Sequence, residues 1–137
     1  MAGKLKIVIV TPGGEKLAGE ADEIVAPGHV GQFGVLPGHI EFFTRNPPGV
    51  FTVLNDGKLS RWAVGAGFIE VGHDQVQLLV QSAEKSGEID AERAKRAKTR
   101  AEEALSKLEG RLDDPAYEMQ LLSLRRAEAR LEAVAGR

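Results

Sequence analysis

The chain has 137 residues, 42% of them hydrophobic and 28% charged, with a formal net charge of -2; at roughly 100 to 200 residues per domain this excludes two large domains. The near-neutral balance excludes a strongly basic nucleic-acid binder and a disordered polyelectrolyte. With no cysteine, no apolar run near the roughly 18 residues of a membrane span and no signal-peptide pattern at the start, disulfides, thiolate chemistry and membrane crossing are excluded, and a cytoplasmic location is expected.

Taken from the N-terminus, the apolar residues come in short runs bounded by turn chemistry, beginning with residues 5–10 followed by Thr11-Pro12-Gly13-Gly14. Such runs predict strands. Residues 50–54 and 59–64 flank Asn55-Asp56-Gly57-Lys58, where Asp-Gly supplies the positive φ angles of a tight hairpin. Residues 68–71 and 76–80 flank Gly72-His73-Asp74 in the same way, and Gln75, Val76, Gln77 and Leu78 alternate like a half-buried strand. Turn signals this frequent indicate an antiparallel β-sandwich or barrel.

Near residue 86 the composition breaks. Residues 1–85 hold 13 of the 16 glycines, all five phenylalanines and 16 charged residues, whereas residues 86–137 hold 22 charged residues, 11 basic and 11 acidic, among alanine and leucine. The second segment is therefore helix-forming. Ala94, Ala97, Ala101, Ala104 and Leu108 draw one apolar stripe, and Tyr117, Leu121, Leu124, Ala127, Leu131 and Val134 draw another. Asp90 is the expected N-cap of the first helix and Gly110 its terminator; Asp114-Pro115 opens the second, with Asp as cap and Pro at the first helical position. The short connection predicts an antiparallel helical hairpin. The expected organisation is mixed β + α: an N-terminal antiparallel β-sandwich over residues 1–85 and a C-terminal antiparallel α-helical hairpin over residues 86–137. An alanine-lined hairpin buries little area and needs a docking surface.

Candidate chemistry in the first segment is thin. His29, His39 and His73 lack metal-ligand spacing. The run Gly28-His29-Val30-Gly31-Gln32-Phe33-Gly34 resembles a phosphate loop only superficially, because no helix follows it. No catalytic triad or paired-carboxylate pattern stands out, so no catalytic residue and no required cofactor is expected. The basic stretch Arg93, Lys95, Arg96, Lys98, Arg100 is flanked by Glu92, Glu102 and Glu103, which argues against a nucleic-acid face. From the residues alone the reading is a β-domain with a helical protein-interaction hairpin.

Longer strings narrow this. Val10-Thr11-Pro12, Gly19-Glu20-Ala21-Asp22, Ala26-Pro27-Gly28, and then Gly31-Gln32-Phe33-Gly34-Val35-Leu36-Pro37-Gly38-His39 closely resemble the epsilon subunit family of bacterial F-type ATP synthases. Pro48-Gly49, Gly65-Ala66-Gly67-Phe68-Ile69-Glu70-Val71 and Glu88-Ile89-Asp90-Ala91-Glu92-Arg93-Ala94 continue the resemblance over nearly the whole chain. It implies a non-catalytic, peripheral subunit on the cytoplasmic side of the inner membrane, with the sandwich bound to the gamma subunit and resting on the c-ring. It also implies a movable hairpin that extends toward the alpha and beta subunits of the catalytic head and there inhibits ATP hydrolysis. Gln32, Phe33 and His39 are the implied partner contacts, although Gln32 stands where many relatives carry an acidic residue.

In some bacterial members of that family ATP acts as a regulatory ligand that holds the folded hairpin down. The resemblance carries this motif onto Ile89, Asp90, Arg93 and Ala94, with Arg126 and Arg130 on the second helix and Glu84 just before the helices. Arg126 and Arg130 are i and i+4 and so share a face, and guanidinium forks suit phosphate oxygens; Arg100 is a peripheral contributor. The competing reading pairs Arg126 and Arg130 with Glu128, Glu132 or acids of the first helix as a solvated face. Spacing alone leaves the helix register open across residues 109–115.

Overall fold

The computed structural model describes residues 3–39 and 41–136; Met1, Ala2, Ile40 and Arg137, which include the outer ends of the two expected segments, lie outside the described residues. Ten strands come first: β1 Leu5–Thr11, β2 Gly14–Ala21, β3 Glu23–Gly28, β4 Gly31–Val35, β5 Phe42–Asn46, β6 Gly49–Asn55, β7 Lys58–Val64, β8 Gly67–Gly72, β9 Gln75–Val80 and β10 Ala83–Lys85. A 3-10 turn at Ser86–Glu88 leads to helices α1, Ala91–Lys107, and α2, Pro115–Ala135.

The strands form two five-stranded sheets, ordered β2-β1-β9-β8-β5 and β10-β7-β6-β3-β4. Period-2 alternation places one face of each sheet inward. In β1, Leu5, Ile7, Ile9 and Thr11 are buried while Lys6, Val8 and Val10 point outward. Phe51, Ile24, Ile69 and Leu78 complete the centre of the core. Every pairing is antiparallel except β1 with β9, which run parallel. That pair closes the first sheet only after the chain has built most of the second, a long crossover of the kind parallel neighbours require.

Turn chemistry sets the register. Asn55 pairs with Lys58 and Gly72 with Gln75, leaving the two-residue loops Asp56-Gly57 and His73-Asp74, both with positive φ throughout. The Gly28 to Gly34 run forms the β3–β4 hairpin, where Gly28 pairs with Gly31 around His29-Val30. Three connections cross between the sheets at one end of the sandwich, after β5, β7 and β9. Asn46 ties the first two together, its Nδ2 donating to the carbonyls of Pro47 at 3.1 Å and Gly65 at 3.0 Å. Gly67 is required beside them, because a Cβ there would overlap the Leu79 carbonyl. At the opposite end Lys4 Nζ meets Asp22, Asn55 and Asp56 oxygens, each at 2.7 Å.

The hairpin docks through α2 on the outer face of the second sheet. Val50 of β6 and Ala63 of β7 meet Ile89, Ala129 and Ala133, with Val134 beside them. Helix α2 thus has two apolar faces, since α1 packs along its other side. The single stripe expected for this helix therefore accounts for only part of its burial. Leu122, Ala129 and Ala133 were not in it, yet Ala129 and Ala133 are 3% and 0% exposed. Asp90 and Asp114 cap the helices as expected, accepting from the N–H of Arg93 at 3.1 Å and of Ala116 at 2.9 Å. Gly110 does not end α1: the helix stops at Lys107 with Leu108 as its cap, and Gly110 supplies a left-handed residue (φ 82) inside the loop.

Candidate functional site

A cleft of about 770 Å³ opens between α1, α2 and the end of β10. All seven residues expected for nucleotide binding line it: Glu84 from β10, Ile89 and Asp90 from the segment before α1, Arg93 and Ala94 from its first turn, and Arg126 and Arg130 from α2. Docking of the hairpin fixes the register that spacing left open. Arg100 and the small side chains Ala97, Ala101 and Ala104 extend the same wall, and Gln120 and Ser123 face them from α2.

The charges in the cleft do not cancel. Arg130 Nε donates to Glu84 Oε1 at 2.6 Å, so this arginine ties α2 to the sandwich instead of pairing with Glu128 or Glu132. Asp90 is committed to the α1 N-terminus. Arg126 Nη2 donates to Ser123 Oγ at 3.0 Å, a neutral partner. Four guanidinium groups line the cleft with three carboxylates, two of them already engaged, and Arg93, Arg100 and Arg126 have no ion-pair partner among the described residues. Such an arrangement offers several charge-assisted donors to a polyanion only while both helices are together.

The expected partner contacts behave differently. Gln32 is exposed. Phe33 packs edge-on against Phe42 with ring centroids 5.1 Å apart, and His39 leans on the same ring at 5.3 Å. Phe33 therefore supports the core, and the length of β4 separates Gln32 from the turn that carries His39. A larger exposed surface lies on the outer face of the first sheet. Phe43 of β5 and Phe68 of β8 stack with centroids 5.4 Å apart and planes 19° apart, and Leu79 of β9 sits opposite Phe68. These three are 62%, 40% and 43% exposed. Their signal in the sequence was Phe43 following Phe42 and Leu79 following Leu78, apolar residues on both faces of a strand. Among the described residues no group of histidine and carboxylate side chains could hold a metal ion, and no helix is long and apolar enough to cross a membrane.

Fold and cleft define the class, a β-sandwich carrying a docked two-helix appendage with an arginine-lined seam. Residues 4–86 match the family described as ATP synthase, Delta/Epsilon chain, beta-sandwich domain, and residues 88–135 match its long alpha-helix domain. Among similar proteins, an ATP synthase epsilon chain of Geotalea daltonii is 47% identical over 137 residues, covering 100% of this chain and 97% of that protein. One from Geobacter metallireducens is 45% identical with the same coverage. Among solved structures, a chain of the Euglena gracilis mitochondrial ATP synthase (OSCP/F1/c-ring) superposes with a TM-score of 0.82 at 22% identity, over 98% of this chain and 83% of that one. A chain of the Tetrahymena thermophila mitochondrial ATP synthase central stalk and c-ring gives 0.54 at 15% identity, over 64% and 70%. The chain belongs to the ATP synthase delta/epsilon chain family, and within it is an epsilon-type subunit, a part of the complex that does not itself carry out catalysis.

Proposed function

We propose that this subunit sits in the central stalk, with its sandwich bound to the gamma subunit and its lower loops facing the c-ring on the cytoplasmic side of the membrane. The hairpin restrains ATP hydrolysis when it extends toward the alpha and beta subunits, and ATP bound between the helices holds it closed. For the gamma contact, the support is the exposed Phe43, Phe68 and Leu79 surface, an apolar patch of the kind that marks a protein interface. For the nucleotide, the support is the convergence of Arg93, Arg126 and Arg130 in one cleft that exists only with α1, α2 and β10 together. Convergence is the observation that carries the reading: Glu84 meets the charge of Arg130, while Arg93 and Arg126, with Arg100 beside them, have no ion-pair partner among the described residues and stay like charges that repel until a polyanion meets them. A triphosphate would convert that repulsion into charge-assisted hydrogen bonds. The alanines beside it leave room for a flat base.

Ligand that binds only the closed form stabilises it by linkage, by about 2.7 kcal/mol at a hundredfold excess over the dissociation constant. Calorimetry of the isolated chain should therefore show ATP binding and a higher melting temperature in ATP, and Arg126→Ala combined with Arg130→Ala should remove most of both. Absence of binding at millimolar ATP, or equal binding by the double variant, would overturn the nucleotide reading and leave the arginines as a solvated face.

A further inference from the structure

A second groove, of about 340 Å³, lies at the end of the sandwich where the sheet-crossing connections pass, beside the middle of α2. Its walls come from His29 of the β3–β4 turn, Arg45 and Asn46 of β5, Phe68 of β8, and Leu122 and Arg125 of α2. Three observations set it apart. No carboxylate lines it, and the two guanidinium groups have no ion-pair partner among the described residues. Asn46 is 4% exposed, and its Oδ1 is buried without a hydrogen-bond partner. That atom cannot be exchanged for Nδ2 by a flip, because Nδ2 already donates to two carbonyls. Finally, the groove is continuous with the exposed aromatic patch, for Phe68 belongs to both.

We propose that this groove takes an acidic segment of the same stalk partner that covers the Phe43, Phe68 and Leu79 surface, and that partner binding there and docking of the hairpin therefore reinforce each other. The inference rests on reading the aromatic patch as the partner surface. A carboxylate between Arg45 and Arg125 finds two charge-assisted donors in a groove that supplies no counter-charge of its own. One wall of the groove is α2. It is complete only while the hairpin is docked, so a partner seated there holds α2 down, and by reciprocity the docked hairpin raises partner affinity by the same factor. The cleft between the helices and this groove then read the closed state from two different faces of α2, one toward a nucleotide and one toward the stalk.

The test uses the full chain and purified gamma subunit. Affinity is measured for the wild type, for Arg125→Glu, and for the patch variants Phe43→Asp and Phe68→Asp, with amide exchange of α2 followed with and without gamma. Arg125 and Phe43 are exposed, so these variants fold. Arg125→Glu is expected to weaken binding about five- to tenfold at low salt and less at high salt, while gamma slows α2 exchange in the wild type and fails to in the variant. If both patch variants bind like the wild type, the patch is not the partner surface, and the groove inference falls with it. If the patch variants lose affinity while Arg125→Glu binds normally, or if gamma leaves α2 exchange unchanged, the patch stands and the groove inference is overturned.

Discussion

The sandwich and the hairpin bury different kinds of side chain. Inside the sandwich Phe51, Leu5, Ile7, Ile9, Ile24, Ile69 and Leu78 are each under 2% exposed, and each such side chain contributes roughly 1.5 to 3 kcal/mol of burial. Under the hairpin the buried contacts are Val50, Ala63, Ile89, Ala129 and Ala133, where an alanine offers a single methyl worth about 0.8 kcal/mol. Beside the alanines the Arg130 to Glu84 ion pair at 2.6 Å adds a polar contact, but about a third of each side chain is exposed, so it is worth little more than a surface pair and does not make up the difference. One region is built to stay assembled. The other is attached by an interface weak enough for a ligand or a partner to decide its position.

The largest expected effect tests the strong side of that contrast. Phe51 is fully buried between the sheets, and Phe51→Ala should cost about 3 to 5 kcal/mol, lost transfer energy plus a cavity. Denaturant melts should show the loss in a single transition that carries the sandwich signals. A loss under 1 kcal/mol would mean that the core relaxes around the missing ring and that the contrast is overstated.

A smaller effect tests the weak side. Ala133 is 0% exposed against the second sheet, and Ala133→Leu forces extra methylenes into that contact at a cost of about 1 to 3 kcal/mol. The cost should fall on docking alone: amide exchange in α2 should accelerate while β1, β8 and β9 keep their protection. Equal acceleration in both regions would show that sandwich and hairpin form one cooperative unit.

The same contrast explains what could be read from the sequence. Sandwich strands announce themselves through alternation and Asp-Gly turn chemistry, because their burial is local to each strand; the turn at Asp56-Gly57 is an instance. The parallel β1–β9 pair left no such mark, since it joins residues some seventy positions apart. In the helices the caps Asp90 and Asp114 were legible because capping is settled within three residues. The second face of α2 was not, because alanines at 129 and 133 look like filler until a sheet lies under them. The cleft residues were nameable from their resemblance to a family motif, but their convergence needed the docked register. Gln32 and His39 are neighbours in one sequence string that an extended strand pulls apart.

The smallest effect concerns the far end of the sandwich, where Lys4 joins the segment before β1 to the turns at Asp22 and Asp56. Its ammonium lies 2.7 Å from Asp22 Oδ1 and 2.7 Å from Asp56 Oδ1, and Asp22 Oδ2 accepts the Asp56 N–H at 2.8 Å. Hydrogen bonds from Lys4 first, then from the Asp56 backbone, hold the Asp22 carboxyl below its ordinary 3.8. Hydrogen bonds to Asp22 and Asp56 in turn raise the Lys4 ammonium above its ordinary 10.5. The signs follow from linkage. A lowered carboxyl adds stability that is complete above 3.8 and lost as pH falls through its folded value; a raised amine adds stability that is complete below 10.5 and lost as pH rises through its folded value. Because the cluster is solvent-exposed the gain is small and screened by salt. Melting temperatures of the wild type and of Asp22→Asn should therefore differ most on the plateau between those two limits, converge in acid below 3.8, and differ less at high salt. The hairpin's own contacts should not follow this profile, because the cluster joins the segment before β1 to the β2–β3 and β6–β7 turns and touches neither helix. A difference that grows as the solution is acidified would reverse the sign and show that Asp22 is more comfortable protonated in the fold than outside it.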